Sequence, residues 1–303
     1  MECSPVISVI IPTYNRAQAL SRCLASLLKQ DFRPFEVIIC DDGSTDDTRS
    51  VADSYSAELD IQYSFEENFG GPARPRNRGI ALARGEILAF LDSDDWWAPD
   101  KLRVCFEALN KGADIVYHDL YMATNDRSSW FPGKAKTRRA RAPVFRDLLE
   151  RGNYINNSSV MVRRDIVCQA DGFTEDKAMI AGEDFDLWLR ISHFTDRFCR
   201  VDKPLGFYWV GGGNISNPDR TLTICENLEE RYYRDARDRF GETVCTWLFY
   251  TKGSMLHKLR RYPEAISALS QIKFSFRLFD LYLKSLALLI LSTCKERFNE
   301  NPD

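Results

Sequence analysis

Histidine and paired cysteines are scarce in this sequence, which limits the metal and redox chemistry that it can carry. Three histidines stand among 303 residues, and the nine cysteines are scattered without a CxxC pair or a Cys/His cluster. We therefore expect neither a zinc site nor a disulfide framework. Such cysteine usage is typical of a reducing, cytoplasmic environment.

A strong charge of one sign and a long apolar run are also missing. The formal net charge is -3, so the overall charge does not favour nucleic acid as a partner. The amino terminus has no basic stretch followed by a signal-type apolar segment. Near the carboxyl end, LYLKSLALLIL is interrupted by Lys284 and is too short to span a bilayer. Length and composition instead predict one large globular α/β domain with an appendage.

Apolar runs alternate with helical patterns over the first hundred residues. Runs at Val6–Ile11, Phe35–Cys40, Asp60–Glu66 and Ile87–Leu91 predict strands, and the amphipathic segments between them predict helices. This alternation predicts a mostly parallel sheet with helices on both faces. Ligands of such sheets bind beyond the carboxyl ends of the strands, so the polar residues after each run are the candidate site.

The stretch EILAFLDSDDWW, Glu86–Trp97, places three carboxylates where the fourth predicted strand ends. They belong to Asp92, Asp94 and Asp95. One or two such carboxylates suit Mg²⁺ or Mn²⁺ when substrate phosphates supply further oxygen ligands. The alternative is an acidic turn that caps the next helix, and this segment alone does not decide between the two.

Two further loops carry polar residues after predicted strands. Asp41 and Asp42 precede a Gly-Ser pair and could bind a base or ribose edge, whereas Asp46 is predicted to cap the next helix. The glycines Gly70–Gly71 precede the basic segment Arg74–Arg78 at the start of a helix, whose positive end favours phosphate. A solvated basic loop is the alternative there.

Four motifs together resemble glycosyltransferase family two, whose members use nucleotide-sugar donors and have the GT-A fold. The motifs are VIIPTYNR at Val9–Arg16, DDGSTDDT at Asp41–Thr48, GGPARPRNRGI at Gly70–Ile80 and FLDSDDWWAPDKL at Phe90–Leu102. The likeness continues through GEDFDLWLRI at Gly182–Ile191. The resemblance implies a GT-A-type mostly parallel sheet with helices on both faces.

The resemblance also implies roles for individual residues. The residues expected to hold a nucleotide diphosphate sugar are Pro12, Tyr14 and Asp42 at the base and ribose, with Arg76, Asn77 and Asp92. Asp94 would coordinate Mn²⁺ or Mg²⁺ directly, and Asp184 matches the general base of the family. Glu183 and Trp188 are candidates for acceptor or sugar contacts, although the helical spacing of Trp188 fits a core position equally well.

These roles describe a single displacement at an anomeric carbon. Asp184 would accept the proton of the attacking hydroxyl, and the metal would stabilise the departing diphosphate. Inversion of the anomeric configuration follows from one displacement. We therefore expect the acids around Asp94 and Asp184 to serve one cleft.

One motif departs from the family pattern. Many members carry a histidine in an RxHxxNxS motif, where this chain has FYWVGGGNIS at Phe207–Ser216. Trp209 and Gly211 take the basic positions, whereas Asn214 and Ser216 match. A third protein ligand for the metal is therefore in doubt.

The carboxyl-terminal part, residues 221–303, has a continuous helical pattern and is predicted to be a separate region after a catalytic domain of residues 1–220. Its final helix, predicted over Phe274–Phe298, is expected to lie on the cytoplasmic face of the inner membrane, or alternatively to pack in a core or a homodimer. The basic loop Asn125–Pro143 is either a lid or lipid-binding patch, or a solvated surface loop.

The leading interpretation is an inverting, metal-dependent hexosyltransferase that uses a UDP-sugar and a glycan acceptor. The motifs do not identify the donor sugar or the acceptor. The acceptor is expected to be lipid-linked and to serve surface polysaccharide biosynthesis. One alternative is a sugar-1-phosphate nucleotidyltransferase, although IPTYNR occupies the place of that class's glycine-rich loop. The other is a non-catalytic carbohydrate-binding adaptor on the same fold.

Overall fold

The computed structural model describes residues 5–124, 133–212 and 216–300. The chain divides into two compact units. The first comprises Met1–Ala140, Tyr154–Glu175 and Arg190–Asn214, and the second comprises Arg141–Asn153, Asp176–Leu189 and Ile215–Asp303. The second unit thus includes two internal segments and the last residues of the predicted catalytic domain. The division at residue 220 stays a prediction.

The first unit is built on a large, mostly parallel sheet. Its strands are β1 Ile7–Thr13, β2 Phe35–Asp41, β3 Ile61–Phe65, β4 Ile87–Phe90, β5 Trp96–Trp97, β6 Ile115–His118, β7 Leu120–Ala123, β8 Lys134–Ala135, β9 Met161–Arg163, β10 Phe198–Val201 and β11 Gly206–Trp209. Seven of them form a sheet in the order β10-β6-β9-β4-β1-β2-β3. Pairing is parallel except around β9, which runs antiparallel to β4 and β6. The predicted sheet type is confirmed.

Helices are distributed over both units. They are α1 Ala17–Leu28, α2 Thr48–Ser54, α3 Ala73–Leu82, α4 Lys101–Asn110, α5 Val144–Arg151, α6 Arg164–Gln169, α7 Glu183–Ile191, α8 Pro218–Leu228, α9 Arg234–Phe240, α10 Thr246–Lys258, α11 Tyr262–Ser270 and α12 Phe279–Glu300. Helices α1 to α4 and α6 belong to the first unit, and α5 and α8 to α12 belong to the second. Helix α7 begins in the second unit and ends in the first.

Strand β1 shows why helices cover both faces of the large sheet. All seven residues of ISVIIPT are buried, and successive side chains point to opposite faces. Val9 packs in one core cluster with Leu24 of α1. Ile10 lies on the other face against Gly79 of α3, where a Cβ would come within 2.5 Å of the isoleucine side chain. Glycine therefore lets α3 approach the sheet closely.

A second sheet of short strands continues the chain after β4. Its order is β5-β11-β7-β8, and β5 pairs antiparallel with β11. Strand β8 belongs to the basic segment Asn125–Pro143. Residues 125–132 of that segment lie outside the described residues, so its predicted role as a lid or lipid-binding patch stays a prediction.

The second unit is helical where the structure describes it. Helices α8, α10 and α11 share an apolar cluster that includes Leu222, Leu256 and Ala265. Helix α5 ends before Gly152, which has a φ of +77° and leaves no room for a Cβ beside the Trp247 indole. Among the helices of the described residues, none is both long and apolar enough to cross a bilayer.

Candidate active site

Three loops meet at the carboxyl edge of the large sheet because the strands that precede them are neighbours. Strand β1 pairs with both β2 and β4, with Thr13 opposite Asp41 and Ile10 opposite Phe90. The loops that follow these strands therefore begin at one edge, where ligands of α/β sheets bind. They contain Tyr14–Arg16, Asp42–Ser44 and Leu91–Asp95.

Tyr14 projects from a loop that is tied to its neighbour. The backbone N–H of Asn15 donates to Ser44 Oγ at 2.8 Å, and the N–H of Thr45 donates to Asn15 Oδ1 at 2.8 Å. Asn15 has a φ of +50°, a left-handed conformation that asparagine adopts more readily than most residues. Pro12 is buried in β1, whereas the Tyr14 ring is about half-exposed in this ordered loop.

Asp42 connects the second loop to the glycine-rich segment. Its carboxylate accepts hydrogen bonds from the backbone N–H of Phe69 at 3.1 Å and of Gly70 at 3.2 Å. Gly43 has a φ of +89°, and a Cβ there would lie 2.8 Å from the Asn68 nitrogen. Asp42 is buried and orders these loops; its role at the ribose stays a prediction.

Arg76 of α3 binds Asp92 directly. Its Nη2 donates to Asp92 Oδ1 at 2.6 Å, and the Asp92 N–H donates to Ser158 Oγ at 3.1 Å. The arginine side chain is buried, so the carboxylate compensates a charge that would otherwise be costly. Ser158 precedes β9, and its contact with Asp92 joins residues that are 66 positions apart.

Asn77, the residue after Arg76, holds a different segment. Its Nδ2 donates to the Phe173 carbonyl oxygen at 2.8 Å, and its Oδ1 accepts from the Phe173 N–H at 2.8 Å. A Cβ on Gly172 would lie 2.6 Å from Asn77 Oδ1. Asn77 thus positions the turn after α6, and its predicted place near the donor stays a prediction.

Two arginines hold Asp94. Arg16 Nη1 forms an ion pair with Asp94 Oδ2, and Arg22 Nη2 donates to the Asp94 carbonyl oxygen at 2.8 Å. Burial raises the pKa of the Asp94 carboxyl, Arg16 opposes this effect, and nearby Asp92 adds to it. Sequence reasoning gave Arg16 no separate role, because its partner lies 78 positions away.

Arg22 also lies between two indole rings. Its guanidinium carbon is 4.2 Å from the Trp96 ring centroid and 4.5 Å from that of Trp209. The backbone N–H of Trp209 donates to Asp95 Oδ1 at 2.8 Å. Trp209 occupies a basic position of the family motif, and in this chain Arg22 of α1 supplies a guanidinium beside it. Asn214 of that motif lies outside the described residues.

The carboxylates of this loop could bind a divalent cation whose remaining ligands are oxygens of a diphosphate. Within residues 5–124, 133–212 and 216–300, no group of three or more His, Cys, Asp or Glu could hold a metal ion. Asp92 and Asp94 keep 32% and 17% of their side chains exposed, whereas Asp95 is buried and burial raises its pKa well above the usual range. Two carboxylates beside phosphate oxygens suit Mg²⁺ or Mn²⁺. Asp94 and Asp92 would hold the ion, with Arg16 as a competing cation.

The second acidic group lies in the first turn of helix α7, in the part of that helix that belongs to the second unit. Glu183 is buried, and its Oε2 accepts from the Ala181 N–H at 2.7 Å. Asp186 is buried and accepts from the Tyr232 hydroxyl at 2.7 Å. Asp184 is only partly buried, and its Oδ2 accepts from the Asn153 amide at 3.2 Å. Of these three acids, Asp184 is the one with solvent access.

Trp188 lies in the core in this structure. Its side chain has no exposed surface, so its ring offers no face to a sugar. Its position is the core position that the helical spacing also allowed. Glu183 is nearly as inaccessible because it is engaged with the backbone of Ala181. These two candidate acceptor contacts are therefore not at an open surface.

A family model described as "Glycosyl transferase family 2" matches residues 8–167, which is more than half of the 303 residues. Among curated relatives, the "GalNAc(5)-diNAcBac-PP-undecaprenol beta-1,3-glucosyltransferase" of Campylobacter jejuni is 36% identical over 133 residues. That match covers 43% of this chain and 43% of the relative. The chain thus spans less than half the length of the first curated relatives that it matches.

Solved structures share the fold over nearly the whole chain. The structure of Staphylococcus aureus TarS residues 1–349 in complex with UDP-GlcNAc matches with a TM-score of 0.66 at 20% identity. The match covers 97% of this chain and 91% of that 1–349 chain. The mannosyltransferase PcManGT of Pyrobaculum calidifontis, in complex with GDP-Man and Mn²⁺, has a TM-score of 0.60 at 17% identity, covering 99% of this chain and 89% of PcManGT. These similarities confirm the predicted fold class.

Proposed function

Because the chain belongs to glycosyl transferase family 2, we propose that it is an inverting, metal-dependent glycosyltransferase. It transfers one hexose-type sugar from a nucleotide diphosphate donor to a glycan acceptor. The observation that carries this proposal is the carboxyl edge of the large sheet. There, Asp92 and Asp94 are each paired with an arginine, beside the ordered loops that follow β1 and β2.

The donor is proposed to be a UDP-sugar. Support comes from the TarS structure, which contains UDP-GlcNAc and has the higher TM-score of the two structural neighbours. The half-exposed Tyr14 ring can stack on the base. Arg76 lies in the first turn of α3, where backbone N–H groups and the helix dipole also favour phosphate.

Asp184 is proposed as the general base. In a single displacement, the acceptor hydroxyl loses its proton as its oxygen attacks the anomeric carbon, and the configuration inverts. Asp184 can accept that proton because its carboxylate has solvent access and is oriented by the Asn153 amide. Glu183 and Asp186 are buried in hydrogen bonds within the second unit and are poorer candidates.

The leaving diphosphate gains negative charge as its bond to the sugar breaks. Arg76 and Arg16 are cations at the acidic loop that can meet this charge. A divalent cation held by Asp94 and Asp92 would supply further electrostatic stabilisation. Mn²⁺ is supported by the PcManGT complex and Mg²⁺ by the same oxygen-ligand chemistry.

The acceptor is proposed to be a lipid-linked glycan in surface polysaccharide assembly. The name of the Campylobacter jejuni relative describes such an acceptor, a glycan on PP-undecaprenol. A peripheral position at the cytoplasmic face of a membrane follows from this proposal, because a lipid-linked substrate is presented there. The alternative proposal is that the carboxyl-terminal helices form the interface of a homodimer.

The test is a screen of nucleotide sugars for metal-dependent binding and slow donor hydrolysis. We expect Asp94→Asn to lose metal-dependent donor binding, and Asp184→Asn to keep donor binding but lose sugar transfer. Asp53→Asn, which removes an exposed acid of α2, is the matched control for Asp94 and should leave both properties unchanged.

Four outcomes would contradict the proposal. Normal sugar transfer by Asp184→Asn would contradict its assignment as the general base, and donor binding by Asp94→Asn that still increases with Mn²⁺ as in the wild type would contradict the metal assignment. Release of pyrophosphate from a nucleoside triphosphate and a sugar phosphate would instead identify a nucleotidyltransferase. Sugar binding without any donor hydrolysis or transfer would identify an adaptor.

A further inference from the structure

Helix α12 leaves several large apolar side chains exposed. Five of its large apolar residues have 43% to 57% of their surface accessible, namely Phe279, Leu283, Leu286, Ile290 and Leu291. Asp280, Lys284 and Ala287 between them are exposed as well. Its buried side includes Ser285 and Ser292, and Ser292 Oγ lies 2.8 Å from His257 Nδ1 of α10. A surface helix normally buries its apolar side. An exposed apolar surface of this kind marks an interaction site.

The exposed residues form one continuous strip. Phe279, Leu283, Leu286 and Ile290 recur at intervals of four, three and four residues, which places them on one side of a helix. The strip is extended before the helix by Phe276, which is 88% exposed. We call the surface from Phe276 to Leu291 the apolar strip.

Cations accompany the apolar strip. Lys284 and Lys295 are eleven residues apart, about three helical turns, so they lie nearly in line on the same border. Together with Lys273 and Arg297, they are exposed and form no ion pair with another described residue. Arg277 differs, because its Nε is 2.7 Å from Glu150 Oε2 of α5. That ion pair links the start of the α12 segment to the rest of the second unit.

We infer that the apolar strip docks α12 onto an anionic lipid surface, with the helix lying parallel to the membrane. Apolar side chains would enter the boundary between headgroups and acyl chains, while Lys284 and Lys295 reach the headgroups. A second copy of the chain fits less well, because an antiparallel two-fold pair of strips would place the cations of both copies on the same side. The inference uses the proposed lipid-linked acceptor only as the purpose of docking; lipid binding itself does not depend on it.

The test is flotation of the full chain with vesicles of phosphatidylcholine, with and without phosphatidylglycerol. Binding should require phosphatidylglycerol and weaken as salt is added. The pair Lys284→Gln and Lys295→Gln should weaken binding about 25-fold, at about fivefold for each cation near the surface. The pair Leu283→Ser and Ile290→Ser should weaken it by about tenfold or more. All four positions are exposed, so the variants should remain folded.

Matched controls distinguish lipid docking by the apolar strip from non-specific hydrophobic adsorption and from the proposed activity. Phe194→Ser removes an apolar residue that is 52% exposed in the first unit, and it should bind vesicles normally. Asp94→Asn should also bind vesicles normally, even if donor binding fails. Equal binding to both vesicle types, or no binding, would overturn the inference. So would a dimer in sedimentation equilibrium that Leu283→Ser with Ile290→Ser dissociates, because the strip would then belong to a second copy.

Discussion

Replacing Lys101 with methionine should change how the stability of the protein responds to pH. Lys101 is fully buried at the start of α4, and its Nζ lies 3.4 Å from the centroid of the Trp97 ring. Among the described residues, the ammonium group has no hydrogen-bond partner. Burial lowers the pKa of Lys101 to about 7. The side chain is therefore charged in the folded protein only near and below neutral pH.

The size of the effect follows from the two states of this lysine. In the unfolded chain its pKa returns to about 10.4, and the difference from about 7 corresponds to about 5 kcal/mol. Between these values the folded protein has lost the proton and the unfolded chain has kept it. The unfolded state then binds one more proton, so the free energy of unfolding rises with pH across this window. Below pH 7 the cost of the buried charge is present in full.

The assay is urea unfolding of the wild type and of Lys101→Met at several values between about pH 6 and about pH 10. Methionine preserves length and adapts to irregular cores. We expect the variant to be more stable at pH 6 by several kcal/mol, with the difference shrinking toward pH 10. Lys111→Met, at an exposed position after α4, should show no such trend. A difference between wild type and Lys101→Met that stays constant within about 1 kcal/mol would refute the reasoning, because the ammonium would then be hydrated or paired.

Three other substitutions probe the site and its support. Ser8→Ala removes a donor to Glu36 Oε1 at 2.6 Å and an acceptor for the Gly85 N–H at 2.9 Å; we expect it to lower the free energy of unfolding by about 1–3 kcal/mol, and an unchanged urea midpoint would contradict this. Gly43→Ala forces a strained φ and a close contact. It should lower the free energy of unfolding by about 1–3 kcal/mol and weaken donor binding as measured by calorimetry, whereas wild-type values of both would show that the loop can adjust. Arg22→Gln should raise the donor dissociation constant about tenfold with little change in melting temperature; equal affinity would leave Arg22 with a packing role only.

The sequence predicts the large sheet because its signals are local. The runs Val9–Ile11 and Val37–Cys40 are apolar without interruption, and residues typical of turns follow each of them, so the strands and their alternation with helices can be predicted from the sequence. The positions of the acids follow from the same logic, since parallel strands end at one edge. The acidic loop after β4 is therefore found at the edge where the sequence predicts it.

Other features depend on pairings between distant residues. Strand β5 has two residues and pairs with β11, which begins at Gly206; a two-residue strand carries no periodicity of its own. The partnership of Arg16 with Asp94 joins separate loops, and Arg22 reaches the same loop from within α1. The assignment of Arg141–Asn153 to the second unit has no sequence signal either. Tertiary packing determines these pairings, and local sequence patterns carry no information about them.

The arginine partners of Asp92 and Asp94 have a consequence for the order in which the proposed enzyme is loaded. With each carboxylate already neutralised from within the chain, a free divalent ion gains little by entering alone. An ion that arrives on a nucleotide brings its own anions, which can take over the guanidinium groups as the carboxylates change partner. Metal and nucleotide should accordingly strengthen each other's retention, and Mn²⁺ titrated without nucleotide should be held only weakly.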